Sequence, residues 1–298
     1  MIPTHNRPLY LARLLVSLQK YHVKEIDSVV IVDDSDSPAR DLAKNYPDLN
    51  IRHIVLENRA FISKAKNIGW KSARTEYVFF IDDDNIVDDR TISPALSAIE
   101  RSENTAAIMP AVLYASRPDL VWVYATPFGG RAPKFNLLGR NLPRDEKLEG
   151  KFYSTDALPN SSIIRRDALE KIGGLNERLV VNSSMDLALR LKARGWKVLA
   201  YTGCFIYHDV EPPGKLGWWA THGAADPDRV RYEILDWFII SGLVRGKESF
   251  HTLNSVVQSL RFVIPNALAY SVRGKSKRRA LAELSRGYIE GILESRRS

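Results

Sequence analysis

Three acids in a row, Asp82-Asp83-Asp84, follow the aromatic and apolar run Tyr77-Val78-Phe79-Phe80-Ile81, and Asn85 follows them. A second acidic pair, Asp33-Asp34, closes the run Val29-Val30-Ile31-Val32, and Pro3-Thr4-His5 follows Met1-Ile2. Each apolar run reads as a buried strand, so each polar cluster stands at a strand end. In an open α/β sheet, ligands bind beyond the carboxyl ends of the strands. Two acidic clusters gathered there repel each other unless a cation or a donor-rich ligand lies between them. Hard oxygen ligands suit Mg²⁺ or Mn²⁺, which keep waters and a substrate phosphate in their shell. The chemistry expected is therefore a divalent metal with a nucleoside diphosphate. The competing reading makes both clusters solvated turns, with Asp as a turn or capping residue.

The elements that would hold these residues alternate. Leu11, Leu14, Leu15 and Leu18 mark one face of a helix over 7–22, with Asn6 and Pro8 at its start. A strand over 28–34, a short helix over 38–47, a strand over 51–57, a helix over 61–74 with Ile62, Ala65 and Gly69 on one side, and a strand over 76–82 follow. This alternation predicts an α/β fold with a doubly wound, mostly parallel sheet. Residues 110–160 are less regular, and 126–151 read as a long loop, of a length that is usually functional or disordered. A helix closed by Gly173-Gly174, a second ended by Gly195 and a strand leading to His208 come next. Beyond it the pattern is helical, over about 227–245 and 251–296. The expected division is a catalytic domain over 1–226 and a helical extension over 227–298.

Composition narrows the classes. The chain has 298 residues, 45% of them hydrophobic, enough for a large α/β domain. Cys204 is the single cysteine, which excludes an internal disulfide framework and suits a reducing compartment. The start lacks an apolar leader, and the late apolar stretch is broken by Gln258, Arg261 and Pro265. A cytoplasmic protein is expected. Of the net charge of +8, the stretch 271–298 carries eight Lys or Arg against three acids. That balance points to an anionic surface, and equally to a solvated helical tail. Leu253, Val256, Val257, Leu260, Val263 and Ile264 form an apolar face beside basic residues, either for the inner membrane leaflet or for packing on the catalytic domain. Nucleic acid is not expected, since Tyr288 is the only aromatic in the basic tail.

Four segments, IPTHNRPLYLARLLVSL, VVIVDDSD, ENRAFISKAKNIGWKSARTEYVFFIDDDN and SSIIRRDALEKIGGLNERL with MDLALRLKARGWKV, together resemble the family 2 glycosyltransferases of GT-A fold. The resemblance covers about 1–245. It implies a nucleotide-sugar donor carrying UDP, GDP or dTDP, a glycan or lipid-linked acceptor, and direct displacement with inversion. It implies that Pro3, Thr4 and His5 lie beside nucleobase and ribose, that Asp34 accepts a hydrogen bond from the base, and that Lys66 and Asn67 lie under the nucleotide. Asp82 would stand on the ribose side and Asp84 would bind Mn²⁺ or Mg²⁺. Asn160, Ser161 and Ser162 would face the donor sugar, and His208 would reach the metal or diphosphate. For His208 the other reading is a satisfied histidine at a strand end.

Two departures from that family matter. Its catalytic base belongs to an acid pair, and Ser183-Ser184 stand there in this chain, leaving Asp186 as candidate base. Ser183 and Asp186 also have the spacing of a helix capping box, and Asp186 and Arg190 that of a surface pair. The base could instead be Asp156, the acceptor could arrive already ionised, or activity could be lost. Secondly, only Met1 and Ile2 precede Pro3, so the first strand is either very short or begins upstream. Three further classes compete. A nucleotidyltransferase would need a glycine-rich phosphate loop, which PTHNRP is not. A non-catalytic binder of nucleotide sugars or glycans, with a degenerate base site, is the alternative. A nucleic-acid-binding protein is the weakest.

Overall fold

The computed structural model describes residues 1–38, 41–129, 134–212, 231–236, 238–240 and 277–295. The chain forms two compact units, one of 1–175 with 187–212 and one of 176–186 with 213–298. The expected boundary at 226/227 and the apolar face over 253–264 lie outside the described residues.

In the first unit β1 (Ile2–Thr4), β2 (Val29–Asp33) and β3 (Ile51–Val55) pair in parallel. The backbone of Met1 bonds to Phe79 and Ile81 of β4 (Tyr77–Ile81), which places β4 on the other side of β1. Helices α1 (Pro8–His22) and α2 (Phe61–Ser72) are the crossovers. Leu11, Leu14, Leu15 and Leu18 of α1 are buried, each stabilising the fold by on the order of 2 kcal/mol. Pro8 stands at its first turn as expected. Asn6 is not its cap. The Asn6 amide instead exchanges hydrogen bonds with Asp36. The short helix expected near 38–47 is a 3₁₀ turn over Leu42–Asn45.

Beyond β4 the sheet is mixed. β11 (Ser161–Arg165) lies antiparallel between β4 and β6 (Thr105–Tyr114), β12 (Lys197–His208) runs parallel to β6, and β10 (Phe152–Ser154) edges β12. The parallel order expected from sequence holds for β1 to β4 and again between β6 and β12, while β11 and β10 enter antiparallel. No helix intervenes between β10 and β11, so nothing returns the chain for a parallel entry. Helix α3 (Ile92–Glu100) leads into β6.

The expectation of irregularity from 110 onward is also corrected. β6 runs through Pro110 to Tyr114, fully buried, and β7 (Val121–Val123) pairs with it. Pro110 lacks an N–H for the ladder. It pairs with Tyr201, where β12 bulges before Phe205 resumes opposite Ala111. The stretch 126–151 carries the small hairpin β8 (Phe128–Gly129) and β9 (Lys134–Phe135), then a 3₁₀ turn at Glu146–Leu148. α4 (Arg166–Ile172) ends at Gly173, whose φ of 75° is the left-handed cap anticipated from the sequence.

In the second unit, residues 231–236 and 238–240 are helical, and Ile234 and Phe238 bury against Leu284, Tyr288 and Ile292 of the helix Lys277–Ser295. Gly291 admits the Phe238 ring, where a Cβ would collide. No helix among the described residues is long and apolar enough to cross a membrane.

Candidate active site

The strand registers bring the polar clusters together. Thr4 stands opposite Asp33 across β1 and β2, and Ser161 opposite Ile81 across β11 and β4. The far end of β12 pairs with the two-residue strand β5 (Asn85–Ile86), His208 opposite Asn85. Hence the end of a strand more than a hundred residues away reaches the triple acid.

Each acid of the triplet has a cationic neighbour, and Asp83 and Asp84 share Arg7. Asp82 forms an ion pair with Lys66 of α2, 2.8 Å from Nζ to Oδ1. Asp83 is 4% exposed; its Oδ2 accepts from Thr4 Oγ1 at 2.7 Å, and its Oδ1 lies 3.3 Å from Arg7 NH1. Asp84 Oδ2 lies 2.9 Å from the same Arg7 nitrogen and 3.5 Å from His208 Nε2. Burial pushes the Asp83 carboxyl up to about 6, against the pull of Thr4 and Arg7. At Asp84 burial also pushes upward, yet His208 and Arg7 together hold the carboxyl below its ordinary value. The two neighbouring acids thus titrate apart, Asp84 being the better anion.

His208 is held edge-on by Trp122, with ring centroids 5.2 Å apart. Its Nδ1 is buried and finds no hydrogen-bond partner among the described residues. Asn85 ties the turn together, donating to the Asp82 carbonyl at 3.0 Å and accepting from Asn160 at 3.3 Å. Asn160 has φ of 64°, and its carbonyl accepts from Asp82 N. Next to it, Ser161 Oγ is buried and without a partner among the described residues.

The second acidic cluster is built differently. Asp34 Oδ2 accepts from the backbone of Ala60 and Phe61 at the start of α2, at 2.7 and 3.2 Å. Its Oδ1 lies 3.0 Å from His5 Nδ1. Asp33 is held by His53 at 3.0 Å and by Ser35 N. Pro3 lies in β1, opposite Val32.

Two expected residues are placed less directly. Asn67 accepts from Trp70 Nε1 and Leu175 N and donates to the Leu175 carbonyl, all at 2.9 Å. It anchors the loop after α4. Asp186 lies in the first turn of α5 (Ser183–Ala193), which begins after Asn182, whose carbonyl accepts from Asp186 N. The capping box placed Ser183 outside the helix, yet Ser183 is already inside it. The surface setting expected of Asp186 is likewise corrected, because its side chain is fully buried. In the same unit Asp236 accepts three hydrogen bonds, from the backbone of Val180, Val181 and Asn182. Burial pushes its carboxyl up to about 6 despite those bonds, and Asp186 adds to the rise. Asp156 is bonded to Lys192 at 2.5 Å and to Phe128 N at 2.7 Å.

Sequence reasoning missed Arg7, Asp83 and Asn85 as participants. Arg7 stands inside the quoted THNRP and Asn85 directly after the acids, so adjacency to a motif was the available signal.

Asp84 and His208 fit a divalent ion that takes both oxygen and imidazole ligands, for which Mn²⁺ is better suited than Mg²⁺. Among the described residues no three His, Cys, Asp or Glu side chains converge. The described residues that would hold it are Asp84 and His208.

Comparison with known proteins agrees with this architecture. The family model described as Glycosyl transferase family 2 matches residues 1–173. The poly(ribitol-phosphate) β-N-acetylglucosaminyltransferase TarS of Staphylococcus aureus (strain Mu50 / ATCC 700699) is 29% identical over 113 residues, which are 37% of this chain and 20% of that protein. Glycosyltransferase GlyG of Streptococcus pneumoniae serotype 4 is 23% identical over 181 residues, 60% of each chain. The match therefore spans about a fifth of the length of TarS. Among solved structures, TarS 1–349 in complex with UDP-GlcNAc aligns with a TM-score of 0.60 at 17% identity, over 98% of this chain and 80% of that one. The mannosyltransferase PcManGT from Pyrobaculum calidifontis, in complex with GDP-Man and Mn²⁺, aligns with a TM-score of 0.56 at 17% identity, over 99% and 76%. At such identities the likeness establishes the fold, which is of the GT-A type.

Proposed function

This chain belongs to glycosyl transferase family 2, and on that premise we propose that it transfers a sugar from a nucleoside-diphosphate sugar to an acceptor hydroxyl, with inversion. The observation that carries this reading is the triple acid beyond β4, with Lys66, Arg7 and His208 around it and Thr4, His5 and Asp34 at the neighbouring strand ends.

A UDP sugar is the first donor to test, since TarS carries UDP-GlcNAc and is similar to this chain in both sequence and fold. GDP and dTDP sugars are the others. His5 and Asp34 would meet the nucleobase, with Asp34 Oδ1 able to accept a further hydrogen bond beside the one to His5. Lys66 would orient Asp82 toward the ribose. Asn160 and Ser161 would face the sugar, the unpartnered Ser161 hydroxyl being available to bond it. Asn67 would act on the nucleotide through the loop it anchors.

Asp84 and His208 would hold the divalent metal, whose chemistry is to stabilise the leaving diphosphate. Asp186 would accept the acceptor's proton, with Asp236 as a neighbouring acid. The acceptor would be a cell-surface glycan or a lipid-linked saccharide. The relatives include TarS and a Campylobacter jejuni enzyme named for a polyprenyl-diphosphate acceptor. A location in the cytoplasm, in peripheral contact with the inner membrane leaflet, suits such an acceptor. The last helix presents Leu281, Ile289 and Leu293 beside Arg278, Arg279 and Arg286 on its exposed side.

A non-catalytic binder is the second reading, favoured by Ser183 and Ser184 at the acid positions. Thermal-shift measurements with UDP-, GDP- and dTDP-sugars, with and without Mn²⁺, test the donor and metal. Release of nucleoside diphosphate separates the two readings: a metal-dependent binder that never releases it is not a transferase.

A further inference from the structure

Arg7 connects two features that the donor site alone does not require. It is the residue that caps the start of α1, so its backbone is fixed, while its side chain is 51% exposed and long enough to move. One of its nitrogens, NH1, serves both Asp84 Oδ2 and Asp83 Oδ1, at 2.9 and 3.3 Å. Asp84 Oδ2 is also the oxygen that faces His208 Nε2. A divalent ion shared by Asp84 and His208 would have to approach the very oxygen that the guanidinium contacts. A cation already on that oxygen repels a second and neutralises the charge that attracts it.

We propose that Arg7 is a built-in competitor for the metal position. It occupies Asp84 Oδ2 as a protein-borne cation, and a divalent ion binds only by displacing it toward Asp83. Asp83 explains why the displacement is feasible. Its Oδ2 is satisfied by Thr4, and its Oδ1 offers the guanidinium an anion to retain. The middle acid, without a role in the metal or ribose contacts, thereby acts as the second station for Arg7. The consequence is a metal site of deliberately modest affinity. The proposal rests on the reading of Asp84 as metal ligand.

The test uses the whole chain and Mn²⁺ alone, with free ion measured by electron paramagnetic resonance and no nucleotide present. Arg7→Gln should tighten Mn²⁺ binding about two- to five-fold, the scale of one partly exposed charge pair. The gain should shrink as salt is raised from 20 to about 300 mM, because salt screens an exposed charge. Arg7→Lys keeps the charge and should stay near the unsubstituted affinity. Asp84→Asn should remove the binding. If Arg7→Gln leaves Mn²⁺ affinity unchanged or weakens it while Asp84→Asn removes it, the competitor role is wrong and the metal reading stands. If Asp84→Asn leaves Mn²⁺ binding intact, the metal reading falls and the proposal with it.

Discussion

His208 and Asp84 face one another, Nε2 of the last residue of β12 standing 3.5 Å from Oδ2 of the last acid after β4. The antiparallel pairing of β12 with β5 makes the meeting, since it sets His208 opposite Asn85. Trp122 fixes the imidazole edge-on from the side. Asp84 stands in the turn directly before β5 and His208 at the end of β12, so the pairing of these two strands holds the carboxylate and the imidazole in place.

That pair predicts the effect of Asp84→Asn. Sugar transfer should fall by at least about a hundred-fold, the scale seen when electrostatic support of a leaving group is removed. The Mn²⁺-dependent part of the thermal shift given by the donor should vanish. Retention of full metal-dependent transfer would remove Asp84 from the site.

For Asp186→Asn the expected result is a drop in kcat of about a hundred- to ten-thousand-fold with little change in KM for the donor. Steady-state kinetics at saturating acceptor read it. Full transfer by this variant would show that the proton goes elsewhere, with Asp156 the next residue to replace.

Gly174 tests the anchoring role of Asn67. Its φ is 78°, and an added Cβ would stand 2.5 Å from Asn67 Oδ1 and 2.9 Å from Trp70 Nε1. Gly174→Ala should lower stability by about 1–3 kcal/mol through strain and disturbed hydrogen bonds. Asn67→Ala, which deletes three buried hydrogen bonds, should cost a similar amount or more. Denaturant unfolding measures both, and a neutral Asn67→Ala would contradict the anchoring role.

Asp236 gives a pH dependence with a definite sign. Its carboxyl is raised in the fold from 3.8 to about 6, mainly by burial. The folded state therefore binds the proton more readily than the unfolded chain. The associated stability is complete below about pH 4 and is lost as pH rises through about 6. Relative to Asp236→Asn, the unsubstituted protein should lose up to about 3 kcal/mol between pH 4 and pH 7. Denaturation midpoints of the two proteins at several pH values report it, and parallel curves would contradict the raised carboxyl.

The exposed face of the last helix predicts co-sedimentation with vesicles containing phosphatidylglycerol. Replacing Leu281, Ile289 and Leu293 with Gln should weaken it at least several-fold. High salt should weaken it too, through Arg278, Arg279 and Arg286. Equal binding by the substituted protein would leave the face without this role.

Much of the fold was readable. Leu11, Leu14, Leu15 and Leu18 at helical spacing became the buried face of α1, and the apolar run before Asp33 became β2. Gly173 ended α4 in the left-handed region, as its type demands. β6 was not readable, because Ala106, Ala107, Ala111 and Pro110 dilute its β propensity. Only burial between β11 and β12 makes that stretch a strand.

The sequence by itself determined which acids stand at strand ends, since an apolar β-branched run followed by Asp leaves a buried strand with a polar tip. It also determined the family, through four ordered motifs. The tertiary structure decided what neutralises those acids. Lys66, Arg7 and His208 come from a helix face, a helix start and the end of a distant strand, and no local spacing rule links such positions. It decided, too, that Asp186 is buried beside Asp236 and not on a surface, because burial depends on what the rest of the chain lays over a helix. Charge pairing and burial are properties of neighbours in space, and for His208 that neighbour is fixed by strand register.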